Sequence, residues 1–380
     1  MLAAAGAAAL AIWLTTSWLL DVADDAPPGP DRAKIRVDAV RTGLAAGAGA
    51  GAAVGLMLAF RRQRHAELAT ALGQLDAAER RITELYNAAA EQLGSDKAPV
   101  RLTALYTLER LANDNERHRQ TIVNIICAYL RMPYTPPPTN LPEEEHRDRT
   151  RRAAARYHAA RDNSPPPAQP TPHTPDPREE HQVRLTAQRL LTTHLQRTNQ
   201  HHWSNISLDL TGATLINFNL ANCAVHDANF SRATFSGIAW FEAATFSGTA
   251  LFSDATFSGN AWFRDATFSG DTWFGAAIFS ETAWFGAATF SETALFGDAT
   301  FSGDASFGDA TFSGNAWFRD ATFSGNAWFG AARFEAGIDM TSATVADAAG
   351  AHEPPPGWQI EPTEGGAGRF GRIPAPPNGS

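Results

Sequence analysis

Cysteine is nearly absent from this 380-residue chain. Cys127 and Cys223 stand far apart, with no second thiol or histidine at a metal-ligand spacing. That rules out a disulfide framework and suits two core thiols in a reducing compartment. A basic excess is also missing. The formal net charge is −9, which argues against a nucleic-acid binder, since such proteins need a cationic face to displace counterions. No G-x-S-x-G, phosphate loop, H-E-x-x-H or paired-carboxylate pattern occurs, so no reaction class is indicated and neither a cofactor nor a small-molecule substrate is expected. His194, His201 and His202 have no Cys or carboxylate beside them at ligand spacing, so no metal site is expected.

Charge is missing locally as well. Residues 1–20 carry none after the first methionine, and LAAAGAAALAIWLTTSWLL is just long enough to cross the hydrocarbon layer as a helix. A second uncharged run fills 41–60 after Arg41, and a short Pro- and Asp-rich loop over 21–40 joins the two. In the second run Gly43, Gly47, Gly51 and Gly55 recur every four residues, which puts them on one helix face for close packing against the first helix. The spacing predicts two transmembrane helices and a multi-pass cell-membrane protein. A signal peptide is the competing reading of the first run, but a basic leading region is lacking. Arg61, Arg62 and Arg64 follow the second span and place the bulk of the chain in the cytoplasm, against a near-equal bias from Arg32, Lys34 and Arg36 in the loop.

Residues 61–132 are rich in Ala, Leu, Glu and Arg at helical spacing. Leu68, Leu72 and Leu75 form one stripe and Ile82, Leu85, Ala89 and Leu93 another, with Gly94-Ser95-Asp96 ending that helix and capping the next. VRLTALYTLERL and RQTIVNIICAYL then read as a helical hairpin. Residues 133–178, with PYTPPP, a charge run and NSPPPAQPTP, read as a disordered Pro-rich linker. A helix over 179–202 leads into a long repetitive segment, and its VRLTAQRLLTTHL echoes the earlier VRLTALYTLERL, so the two should pack together.

From 203 to 345 the chain repeats itself. GNAWFRDATFSG occurs at 259–270 and again at 314–325. Apolar residues first recur every five positions, at Leu210, Leu215, Leu220, Val225, Phe230 and Phe235. The intervals then alternate six and five through Phe241, Phe246, Phe252, Phe257, Phe263 and Phe268 to Phe318, Phe323, Phe329 and Phe334. Ala stands two residues before almost every Phe, with Thr272 the exception. An 11-residue period can mean a right-handed coiled coil. Phe residues six apart would, however, be rotated by about 240° on an α-helix, and Thr, Ser, Gly and Phe are poor helix formers. Short straight sides with a turn at each corner fit instead.

ATLIN, CAVHD, ANFSR and ATFSG resemble the units of pentapeptide-repeat proteins, and the chain resembles a Phe-rich membrane-anchored group of these found in actinobacteria. The resemblance implies a right-handed quadrilateral β-helix, with the large central residue and the small residue two before it pointing inward. The fold expected overall is that solenoid, preceded by a small all-α region and two N-terminal transmembrane helices. Leu210, Leu215, Leu220, Phe235, Phe241, Phe246, Phe257, Phe263, Phe268, Phe318 and Phe323 would belong to the internal ladder.

The residue before Phe varies between Trp, Leu and Ser, whereas the Phe is constant, and a dry core would not accept Ser306 where neighbours hold Trp. Phe is therefore expected inside and Trp outside. With 22 residues per turn, Trp240, Trp262, Trp284 and Trp328 line one outer face and Trp273 and Trp317 the opposite one, a candidate surface for a protein partner or for self-association. The expected role is a membrane-anchored interaction scaffold without catalytic activity. The alternative is a DNA mimic acting on a topoisomerase, since 203–345 holds 14 acidic residues against 4 arginines. The tail, 346–380, reads as disordered and leaves the last coil edge exposed or covered by a partner.

Overall fold

The computed structural model describes residues 2–25, 29–137, 150–151, 154 and 177–374. Most of the expected linker, over 138–149, 152–153 and 155–176, and the final residues 375–380 lie outside the described set. The chain divides into one unit over residues 1–83 and another over 84–380.

In the first unit α1 (Leu2–Asp24) packs against α2 (Pro30–Leu93). The connecting loop is much shorter than the expected 21–40. Pro30 occupies the first helical turn, where its missing N–H is harmless, and DRAKIRVDAVR after it continues the helix. Gly43 faces α1 so closely that a Cβ there would lie 2.8 Å from Thr16 Oγ1, and Gly47 lies against Ile12. Gly51 and Gly55 meet nothing among the described residues within 4 Å. Among the described residues the contact is made at Gly43 and Gly47, and Ala39 on the same face is buried. Trp13, Trp18, Leu44, Leu56, Met57 and Phe60 are exposed.

The second unit starts at the end of α2, where Ala89 and Leu93 are buried, while Leu68, Leu72 and Leu75 earlier on the helix are exposed. α3 (Ala98–Asp114), α4 (Arg119–Arg131) and α5 (Pro177–Leu195) pack on one another. The N-cap of α3 is Lys97, with no side-chain hydrogen bond, so Asp96 is not the cap. Leu105, Leu108, Ile122, Ile126, Leu190 and Leu191 form the helical core, which continues without a break into the first turn of the solenoid. α4 supplies that junction by packing on Leu208–Asp209 and Thr214–Ile216.

From Leu208 to Val345 the chain is a β-solenoid of about six turns built from four parallel sheets, one per side. The early register advances by 20 residues, pairing Thr214 with Thr234. Later turns advance by 22, pairing Ala261 with Ala283 and Thr267 with Thr289. Two kinds of corner explain the alternating spacing. After Phe252 the chain makes a tight turn in which Ala255 N–H donates to the Phe252 carbonyl, with Asp254 left-handed at φ 58°. Ala243, Asp265, Ala276 and Asp309 take the same conformation at matching corners. The wider corner needs close backbone approach, since a Cβ on Gly259 would lie 2.6 Å from the Gly237 carbonyl oxygen of the preceding turn.

The interior is a ladder of phenylalanines. Phe285 stacks on Phe263 at 4.8 Å and on Phe307 at 4.9 Å with nearly parallel rings, and meets Phe296 edge-on at 5.4 Å and 88°. Both geometries satisfy the ring quadrupole. Thr272 replaces an inward Ala by donating its hydroxyl to the Gly270 carbonyl at 3.3 Å.

The segment expected as a disordered tail is folded as far as residue 374. Trp358–Pro362 and Gly368–Arg372 form an antiparallel hairpin whose second strand pairs with Thr344–Val345, so the last coil edge is covered on that side. Trp358 and Phe370 are buried there, and Phe370 meets Phe323 edge-on at 5.8 Å. Alternation of Trp358 and Ile360 with polar residues supplies the apolar face, and Gly365 and Gly366 supply the turn.

Replacing Phe285 by Ala removes a ring stacked on both sides and should lower unfolding stability by roughly 3–5 kcal/mol. Trp284→Ala, on the outward neighbour, should cost far less. Chemical denaturation of the two variants compares them directly, and equal losses would place the indole in the core.

Candidate interaction surface

The residues of the expected ladder, Leu210, Leu215, Leu220, Phe235, Phe241, Phe246, Phe257, Phe263, Phe268, Phe318 and Phe323, are all buried, none more than 1% exposed. Phe218 is buried as well, in the position that Ala takes elsewhere, and contacts Phe230, Phe235 and Phe241. Periodicity alone did not single it out.

The outward positions sort by side. Register places Trp240, Trp262, Trp284, Ser306 and Trp328 in one column. Asn229, Leu251, Trp273, Leu295, Trp317 and Asp339 form the column two sides away. Threonines occupy most of the sides between, as in Thr245, Thr267, Thr289 and Thr311. In the first column the indoles stack on one another, Trp240 on Trp262 at 5.5 Å and Trp262 on Trp284 at 3.9 Å, and all are half-buried. Trp273 and Trp317 are each separated from the next Trp by a Leu, lack such partners and are 44% exposed. The first column is an aromatic strip stacked from Trp240 to Trp284 and the other column a more open apolar one, both formed by short parallel strands whose alternation sends Phe in and Trp out.

Acidic side chains border these columns. Thr341 donates through its hydroxyl and its N–H to Asp339, which with Arg319 at 3.0 Å holds that carboxyl below its usual range. Asp209, at the first turn, is raised by burial, but hydrogen bonds from Thr211 and the charge of Arg131 outweigh this and lower it.

Sequence reasoning missed a buried ionic network among the helices. Arg101 and Arg184, the matching arginines of the two VRLTA segments, both reach Glu180, at 3.3 and 2.7 Å. Arg184 also donates to the carbonyls of Leu130 and Met132 and lies over the Tyr134 ring, while Tyr129 O–H donates to Glu180 at 3.0 Å. Burial and then the Glu180 charge raise the Tyr129 pKa. The repeated VRLTA was the available signal, but the shared carboxylate comes from the preceding turn of α5. The network has the chemistry of a clamp that joins three helices.

His194 is stacked on Trp203 at 4.3 Å. One ring nitrogen pairs with Glu109 at 2.7 Å and the other with the His201 carbonyl at 2.9 Å, so both are engaged. Among the described residues no group of three His, Cys, Asp or Glu is placed to hold a metal ion. Burial pushes both thiols, Cys127 and Cys223, up to about 12. An open groove of about 850 Å³ lies between α4 and the first turns, with Gln120, Asn124, Asp209 and His226 on its walls. Gln120 spans its floor by bonding both the N–H and the carbonyl of Ser207.

The thiols and Tyr129 keep their protons longer in the folded chain than in the unfolded one. Their stabilisation is thus complete below about pH 8.5, and is lost as pH rises through the ordinary thiol and phenol ranges. The denaturation midpoint should fall above about pH 9, less steeply in a Cys127→Ala, Cys223→Ala, Tyr129→Phe triple variant. Midpoints measured from pH 7 to 10.5 check this.

The family model for pentapeptide repeats, in nine copies, matches residues 220–267, 252–299, 285–333 and 296–344. Neither the curated proteins nor the solved structures contain a match to this chain. Residues 220–344 are thus a run of pentapeptide repeats, and a β-solenoid of this kind suits a structural or interaction module.

Proposed function

We propose that this pentapeptide-repeat chain is a membrane-anchored, non-catalytic scaffold whose tryptophan columns bind a protein partner or a second copy. The observation that carries the reading is the combination of a fully packed phenylalanine interior with an ordered aromatic strip on the outside. A filled coil offers no internal cavity for a substrate, and contiguous exposed aromatics usually mark an interaction surface. One described helix, over Ala33–Leu93, is long and apolar enough to cross a membrane. In this reading residues 41–60 are one span and 1–20 a second, held together at Gly43 and Gly47. The exposed Trp13, Trp18, Leu56 and Phe60 face lipid, and Arg61, Arg62 and Arg64 keep the bulk of the chain on the cytoplasmic side. The coil winds to the right, as parallel β crossovers almost always do.

The acidity of the solenoid, 14 carboxylates against 4 arginines, is the observation that favours the DNA-mimic alternative. The tryptophan and threonine columns that separate those carboxylates do not imitate a phosphate backbone. That reading requires the full chain to inhibit topoisomerase supercoiling at micromolar concentration.

Alkaline carbonate should leave the protein in the membrane pellet, and complete extraction would remove the anchored reading. Replacing Trp240, Trp262, Trp284 and Trp328 together by Thr, the residue of the neighbouring sides, should preserve the fold while abolishing self-association or partner capture from membrane extracts. Unaltered association by light scattering and pull-down would show that the columns are not the interface.

A further inference from the structure

The first aromatic column has one gap. Ser306 stands in register between Trp284 and Trp328, where every other turn of that side from 240 to 328 carries an indole. Beneath it the ladder continues undisturbed, with Phe285, Phe307 and Phe329 each 4.9 Å apart. Two turns therefore separate the flanking indoles, about 10 Å at the coil spacing of parallel strands. A flat group held at about 3.5–4 Å from each ring needs about 7–8 Å. The rings can lean to supply the difference. Trp262 and Trp284 approach to 3.9 Å while Trp240 and Trp262 stand at 5.5 Å, although the turns beneath them keep an even step. The column thus has a gap two turns wide between Trp284 and Trp328, where only the half-buried Ser306 stands.

The charge beside the slot selects that group. The turn that carries Ser306 is also the one that carries acid at both ends of this side, Asp304 before it and Asp309 after it. The turn below has Thr282 and Ala287 at the same places, and the turn above Asn326 and Ala331. Asp304 accepts from the backbone and side-chain nitrogens of Asn326, which fixes its carboxylate beside the slot. Asp309 is exposed at its left-handed corner. Neither forms an ion pair among the described residues. A planar cation satisfies all of this together, since a guanidinium stacks on indole faces and forks onto carboxylates. An ammonium has no flat face to fill the slot, and a nucleobase would bring a phosphate towards Asp304 and Asp309.

We propose that the Trp284–Ser306–Trp328 slot is a clamp for an arginine side chain of a protein partner, sandwiched between the two indoles and anchored by Asp304 and Asp309. The proposal rests on the scaffold reading above and names the chemistry that its aromatic column recognises.

The test uses the full chain in detergent micelles, with N-acetyl-arginine amide as the probe and the lysine and citrulline analogues beside it. Citrulline keeps the planar shape without the charge. Indole N–H signals of Trp284 and Trp328, assigned by single Trp→Phe variants, should shift with arginine, and far less with lysine or citrulline, while those of Trp273 and Trp317 stay still. Ser306→Trp completes the column with the residue its neighbours already use, and should abolish the shifts. Asp304→Asn with Asp309→Asn should weaken the arginine response by about tenfold. Equal responses to arginine and citrulline, equal responses at all tryptophans, no response at tens of millimolar probe, or an unchanged response in Ser306→Trp would each overturn the clamp. Should Ser306→Trp fail to fold, Trp284→Thr must remove the arginine response instead. Partner capture that is lost in the fourfold Trp→Thr variant but kept in Ser306→Trp would sink the clamp and leave the scaffold reading standing.

Discussion

The stacking of phenylalanine on phenylalanine, at the pitch that the parallel strands set, is the contact on which almost everything else depends. A ring such as Phe263 meets its equivalent one turn on at 4.8 Å with an interplanar angle of 2°, while neighbours around the turn meet it edge-on. Those two contacts are met together along the 22-residue turns, where each side presents its ring at a matching height, while the 20-residue step from Thr214 to Thr234 precedes most of the ladder. An extra residue is absorbed only at a corner, as in the six-residue spacing, whereas one placed within a strand would turn its ring to solvent. The near-identical wording of the repeats follows from that geometric constraint, and the positions that vary are the ones the ladder does not touch.

A structure made of nearest-neighbour contacts has two ends that its own repeats cannot finish. At the first turn the problem is solved by helices. Gln188 of α5 bonds both the N–H and the carbonyl of Ile216, and Phe218 fills the place an alanine would leave empty. Those helices are in turn fixed by Glu180, which holds two arginines that would be costly to bury unpaired. At the last turn a hairpin continues the sheet through Thr344 and sets Phe370 over Phe323 and Phe329. The sheet edge that would otherwise invite further strand pairing at Thr344–Val345 is thereby covered.

The solenoid was legible in the sequence because its signal is repeated many times over. Five- and six-residue intervals assign each Phe to the inside, and register places Trp262 above Trp240 as the 22-residue count requires. Features that occur once were not legible in the same way. The Arg101–Glu180–Arg184 network joins residues from helices on both sides of the Pro-rich segment, and nothing local marks Glu180 as their shared partner. The hairpin was hidden among prolines and glycines that resemble a tail, although Trp358 and Phe370 carry the apolar faces. The glycine stripe was legible from its four-residue spacing, and Gly43 and Gly47 meet Thr16 and Ile12 as that spacing requires.

In such a fold a departure from the pattern carries different information inside and outside. Thr272 departs inside, and the coil answers it with a local hydrogen bond to Gly270 that restores the packing. Ser306 departs outside, and among the described residues no side chain fills the place of the missing indole. The Phe285–Phe307–Phe329 stack beneath is as regular as elsewhere, so the serine is not a response to strain in the core. Stability has no use for a missing indole, since a tryptophan there would extend the existing stack by two more contacts. The gap coincides with the one turn of that side bearing acid at both corners, and a surface that binds something flat and positively charged accounts for both departures at once.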